Sequence, residues 1–301
     1  ANNNVAIGHN TLDANTTGTQ NIAVGYSALS SNTTANSNIA IGTNALAANT
    51  TGANNTAVGE NVMAANTEGV NNVALGYTAL DADTLGFQST AIGYAALSAQ
   101  NFTSSTPSQN VAVGHLAGTA VTTGVNNTLV GAHAGDAFSD ADNNTALGYF
   151  ALGDDTLGSR TTAIGKGALQ NQNFTSATNA YNVAMGYHAG SALLTGITNT
   201  IVGSLSHNGL TTGSLNVSVG YNNGASAVDV DSEIVIGNSV TGAGTNTVRI
   251  GTAGGTATLG LDGSDTSWAA ASDSRLKKDV TDSTAGLEFI NDLRPITFKW
   301  N

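Results

Sequence analysis

Five histidines, His9, His115, His133, His188 and His207, are the side chains here best suited to bind a metal or move a proton. No His-x-His pair and no acidic partner at ligand spacing accompanies them, so they read as exposed loop histidines. The acidic group Asp136, Asp140 and Asp142 and the run Asp229, Asp231 and Glu233 offer oxygen ligands for Ca²⁺. Neither matches an EF-hand loop or the Gly-rich Ca²⁺ repeat, so both read as solvated turns and no metal site is expected. Asn15-Thr16-Thr17 and similar triplets fit the glycosylation pattern, but a turn needs the same residues. No Ser/His/Asp set and no paired carboxylates stand out in residues 1–251, so that region reads as non-enzymatic and free of cofactors.

Two aromatic residues remain as binding candidates. Phe102 and Phe174 sit in similar four-residue inserts, Asn101-Phe102-Thr103-Ser104 and Asn173-Phe174-Thr175-Ser176. Repeat proteins place binding loops in such expansions, and an exposed ring can stack on a sugar. The alternative is that each Phe folds back over a widened coil.

Composition narrows the class further. Charged residues are 9% of 301, far below the usual quarter, and the gap is filled by Asn, Thr, Ala and 37 Gly. With 8 Lys+Arg and a net charge of −12, the chain has no basic stripe to neutralise phosphates, so nucleic acid is not an expected partner. No run of 18 apolar residues predicts a transmembrane helix. Cysteine is absent, which excludes disulfides and thiolate sites. The chain opens on Ala1 rather than Met, as a processed or partial chain does.

The elements that must position these residues come from a repeat. The unit N-x-A-(V/I/L)-G places glycines at 8, 25, 42, 59, 76, 93, 114, 131, 148, 165, 186, 203, 220, 237 and 251. Nearly all intervals are 17 residues, and the two intervals of 21 carry the inserts. The inserts lie 72 residues apart, as do Leu75-Gly76-Tyr77 and Leu147-Gly148-Tyr149, so a four-coil block is itself duplicated. The unit has a short strand and a glycine corner, in eight coils a Leu or Met four residues on, and then a Thr-x-Gly turn such as Thr50-Thr51-Gly52. One unit cannot bury its own apolar row, whereas stacked units make a continuous one. The pattern predicts an all-β chain: a parallel β-solenoid of about fifteen coils over 1–251, roughly 65–70 Å long at ~4.8 Å per coil.

Period 2 within the strand puts Val, Ile or Thr and the residue before Gly on one face, with Ala between them on the other. The aliphatic pair is expected inside the coil and the Ala row outside. A small-residue wall lets another backbone come close, so the Ala face is expected to pack on other copies around a three-fold axis. Asn four residues before Gly recurs in eleven coils (Asn4, Asn21, Asn38, Asn55) and predicts an amide ladder between coils.

After Gly251 the repeat fades into a Gly-rich neck, 252–271, and 272–301 holds five of the eight Lys+Arg: Arg275, Lys277, Lys278, Arg294 and Lys299. Ser283 to Leu293 has the spacing of an amphipathic helix, ended by Arg294-Pro295, and Ile296, Phe298 and Trp300 alternate as a strand. The neck therefore leads into a short α+β C-terminal segment.

The N-x-A-(V/I)-G unit with its A-L step resembles the head repeats of trimeric autotransporter adhesins, the YadA-like β-roll. The 17-residue form N-T-A-V-G-Y-x-A-L-x-x-N-T-T-G resembles repeats of bacteriophage tail fibres. Ser272-Asp273-Ser274-Arg275-Leu276-Lys277, with Gly286-Leu287, Leu293-Arg294-Pro295 and Phe298-Lys299-Trp300, resembles the beginning of the endosialidase-type intramolecular chaperone. That resemblance implies trimerisation, assistance to shaft folding, and self-cleavage just before Ser272, with Ser272 as nucleophile and Lys277 as its base. Domains of this kind are much longer than thirty residues, so the resemblance implies that 272–301 is a truncated beginning or a degenerate chaperone. Together the resemblances imply a homotrimeric tail-fibre or tailspike shaft, on a virion or outside the cell, that attaches to a host glycan or protein receptor. A bacterial surface adhesin or extracellular filament subunit is the second reading.

Overall fold

The computed structural model describes residues 3–261, 263 and 269–270. Among them every regular element is a β-strand, and together they form a parallel solenoid of about fifteen turns. Most coils contribute one three-residue strand, for example Val5–Ile7, Ile22–Val24, Ile39–Ile41 and Thr56–Val58. Through the coils each of these strands pairs in parallel with the strand one coil on, repeat position against repeat position: Val5 with Ile22, Ala6 with Ala23, Ile7 with Val24. The insert coils keep this register, since Thr90 still faces Val111 although 21 residues separate them.

The corners are bonded between coils as well. The Leu29 N–H donates to the Ala45 carbonyl and the Thr33 N–H to the Thr50 carbonyl. This leaves the non-strand wall with few unpaired backbone groups, as a buried irregular backbone requires. The glycine after each strand is obligatory. Gly42 has φ +134°, and a Cβ there would collide with the Gly59 carbonyl oxygen. Leu46 is also left-handed, at φ 52°, although a bulky residue resists that region. The strain is of order 1–3 kcal/mol. Complete burial of the leucine, worth about 1.5–3 kcal/mol, offsets it.

The strand faces are the reverse of the sequence expectation. Ala23, Ala40, Ala57 and their successors are fully buried, while Ile7 is 61% and Ile41 39% exposed. The reason is lumen width. A 17-residue coil is narrow, and Leu29, Leu46 and Met63 from the opposite wall already fill it. Only a methyl group fits on the strand side, so the aliphatic rows are turned outward.

The exceptions obey the same volume limit. Where the leucine row carries Gly118, Gly135 or Gly190, the alanine row or the turn supplies bulk. Leu129 approaches Gly118 and Gly135, Phe138 also approaches Gly135, and Ile201 approaches Gly190. Large and small residues thus alternate across the lumen to keep native packing density.

Two asparagine rows run through the interior. In the expected row, Asn38 Oδ1 accepts the Asn55 N–H at 2.9 Å and its Nδ2 donates to the Gly52 carbonyl at 2.9 Å. Each of these amides ties backbone to backbone, and in later coils of the row amide also bonds to amide, as Asn216 Nδ2 does to Asn199 Oδ1 at 3.1 Å. A second amide-to-amide ladder lies in the other row, at the start of the Thr-x-Gly turn. There Asn49 Nδ2 donates to Asn32 Oδ1 at 3.2 Å and Asn66 Nδ2 to Asn49 Oδ1 at 3.1 Å.

At its C-terminal end the solenoid stops repeating. Thr247–Thr252 pairs in parallel with Ile234–Asn238, then turns back in an antiparallel hairpin with Gly255–Gly260. The region read as a loose neck thus begins with a paired strand. The helix expected at 283–293 and the strand after it lie outside the described residues. Among the described residues, no helix is long and apolar enough to cross a membrane.

Asn55→Ala should strand the buried Asn72 N–H and leave the Gly69 carbonyl with the Asn66 amide as its one side-chain donor. At about 1–3 kcal/mol per orphaned group, thermal melting should show a clear loss. An unchanged melting temperature would contradict the role given to this row.

Candidate functional site

Phe102 and Phe174 are buried, at 5% and 6% exposure, so their rings do not stand free as stacking platforms. Each insert folds its Phe back and adds a second short parallel pair at the corner. Gly86–Phe87 pairs with Thr106–Pro107, and Gly158–Ser159 with Thr178–Asn179.

What anchors each insert is a buried carboxylate that the sequence reading passed over. Asp83 Oδ1 accepts the N–H groups of Gly86 and Phe102 at 3.0 and 3.1 Å, and Oδ2 accepts Gln100 Nε2 at 2.6 Å. Gln100 Oε1 in turn accepts Asn110 Nδ2. Asp155, Gln172 and Asn182 repeat the chain of bonds around Phe174. Asp takes the place of Asn in the turn row because the insert brings one more N–H to satisfy, and a carboxylate is an acceptor at both oxygens. Burial pushes both carboxyls above the ordinary range, against the hydrogen bonds from Gln100 or Gln172 and the backbone. The signal in the sequence was Asp83-Thr84-Leu85-Gly86 standing where other coils have Asn-Thr-Thr-Gly.

The other predicted residues scatter. His133 pairs with Asp136 at 2.7 Å and stacks on Phe150. Asp140 accepts the hydroxyls of Thr122 and Thr123, and Asp142 the Val125 N–H. Asp231 accepts the Ser214 N–H, while Glu233 is buried in the asparagine row. No group of three or more metal-ligating side chains converges among the described residues. His207 departs from the loop reading, because it is fully buried. Ser272 and Lys277 lie outside the described residues.

The most extensive feature of the surface is apolar. The two outward rows of each strand align from coil to coil, with Val5, Ile22, Val73, Leu147, Met185 and Val219 prominently exposed. Beside them, just past the glycines, runs a row of exposed tyrosines. Tyr94 is stacked between Tyr77 and His115 at centroid distances of 5.6 and 5.2 Å. The Lys166 ammonium lies 5.7 Å from the rings of both Tyr149 and Tyr187. Coil spacing imposes this stacking. Along Tyr77, Tyr94 and His115 the ring faces are spent on neighbours.

Residues 272–301 match the family model described as chaperone of endosialidase. The match begins at Ser272, just past the last described strand, Ala269–Ala270. No curated protein and no solved structure matches the chain.

Asp83→Ala should leave Gln100 Nε2 and the N–H groups of Gly86 and Phe102 without acceptors. Amide exchange over 101–107 should accelerate at least tenfold, with coils 22–58 unaffected. Asp155→Ala should do the same over 173–179. Unchanged exchange would show that the carboxylates do not hold the inserts.

Proposed function

We propose that this chain is the shaft of a trimeric attachment fibre of the tail-fibre or tailspike kind, working on a virion or outside the cell. The match of 272–301 to the chaperone of endosialidase, directly following a β-solenoid, carries the reading. The fold suits it: among the described residues the interior is packed row on row, as a shaft requires. The likeness of the repeats to YadA-like heads and tail-fibre repeats points the same way.

The trimer draws support from the outward aliphatic rows rather than from alanine. Rows of Val, Ile, Leu and Met interspersed with Thr, exposed or half-exposed from coil to coil, form the kind of apolar surface that a partner covers. Three copies closing on these rows would bury them, and parallel chains in register would place like rows together. The receptor would be a host glycan or protein, met by the surface that assembly leaves exposed.

The chaperone-like start adds a cleavage reaction to the proposal. Ser272 would supply the attacking hydroxyl at the Ala271–Ser272 peptide bond, Lys277 would take its proton, and water would complete hydrolysis.

Light scattering at micromolar concentration should give three times the chain mass, and Ile41→Asp with Val58→Asp should reduce it while leaving the β signal of circular dichroism intact. A monomer would overturn the trimer. Intact mass of the full-length protein should show loss of everything from Ser272 onward, abolished by Ser272→Ala; a full-length mass would overturn the cleavage. A membrane-anchoring β-barrel encoded downstream would overturn the fibre in favour of a surface adhesin.

A further inference from the structure

His207 occupies a position in the coil that elsewhere belongs to the core. Four residues after Gly203, it stands in the row of Leu29, Leu46, Met63 and Leu169. Like them it is 0% exposed. Neither ring nitrogen has a hydrogen-bond partner. An imidazole always carries at least one N–H, so this burial leaves a donor and an acceptor unmet. The side chain fits the lumen by shape and fails it by polarity.

Its neighbours offer little relief. The preceding coil presents Ala189, Gly190, Leu193 and Ile201 inward, with no ionisable group among them. His188 of that coil sits on the outer side, edge-on to Tyr187. The following coil presents Ser218, Asn223, Val230 and Glu233. Ser218 is taken by Ser206, at 2.8 Å. Glu233 ends the asparagine row and is itself held by the N–H groups of Ser226 and Gly244. It is the ionisable group whose charge acts on His207, and it favours the protonated ring.

We propose that His207 is an acid-sensitive seam in the shaft, where protonation uncouples the last coils, residues 203–244, from the coils before them. A neutral imidazole is tolerated in the lumen and an imidazolium is not, because two N–H donors and a charge would then need partners. Opening exposes the ring to water. In a solenoid each coil contacts only its neighbours, so a seam near one end opens without unfolding the remainder.

The sign follows from linkage. Burial, only partly countered by Glu233, lowers the pKa of His207 from 6.5 to about 4. Between these values the open state holds more protons, so closure weakens as pH falls through that window. The buried carboxyls Asp83 and Asp155 shift the other way, so the inserts cannot mimic the effect.

Hydrogen–deuterium exchange on the full chain, corrected for the intrinsic pH dependence of amides, tests this. From pH 7.5 to 5, opening of 203–244 should rise roughly thirtyfold, with strands 39–75 unchanged, and His207→Leu should abolish the rise. An equal rise in both regions, no rise, or a rise that survives His207→Leu would each overturn the seam. Should His207→Leu fail to fold, NMR titration of native His207 decides: a ring neutral down to pH 5 supports the proposal, and titration near 6.5 overturns it.

Discussion

The chain is held together by backbone hydrogen bonds made at equal steps from one coil to the next. Because strand, corner and turn all bond to their counterparts one coil on, every coil must have the same perimeter and the same local conformation at each position. The requirement explains why the glycine after the strand cannot vary, since a Cβ there would strike the next coil's carbonyl. It also explains why four extra residues are accepted only at a corner, where they bulge without shifting strand register. Asn and Asp inside the turn are the side-chain complement of the same rule, serving backbone groups that the coil geometry leaves over.

A fixed short perimeter also makes a narrow lumen, and the lumen decides what the surface looks like. Leucine from one wall leaves room for alanine on the other, and the larger β-branched residues are excluded wherever that leucine is present. They are still needed, because a strand of such residues suits a pleated sheet. The outcome is a rod whose outside carries a stripe of Val, Ile, Leu and Thr flanked by stacked tyrosines. A surface of that kind favours self-association along its length, and parallel in-register copies present matching rows at every coil. The assembly proposed for this chain is thus a consequence of how little space each coil encloses.

Toward the C-terminal end the rules relax in order. His207 replaces leucine, Glu233 replaces asparagine, the strands lengthen, and an antiparallel hairpin replaces the next coil. Here a histidine enters the leucine row and a glutamate the strand-side asparagine row, whereas Asp83 and Asp155 further up the shaft serve the inserts. The pH sensitivity proposed for the shaft is thereby confined to its last coils.

Much of this was written in the chain itself. The 17-residue period, the invariant glycine, the Thr-x-Gly turn and the in-register stacking follow from local rules, so solenoid, coil number and insert positions could be read directly. The Ser272–Trp300 pattern likewise pointed to the chaperone family that residues 272–301 match. Which strand face is inside could not be read, because period 2 separates two faces without orienting them and both were apolar. Only the closed coil, with leucine arriving from the far wall, sends alanine in and isoleucine out. The same closure buried Phe102 and Phe174, whose place in inserts suggested exposure, and His207, whose polarity did, and made Asp83 and Asp155 the anchors of the inserts. Sequence determined the spacing of the rows; the width of the lumen, a property of the whole coil, determined which of them face water.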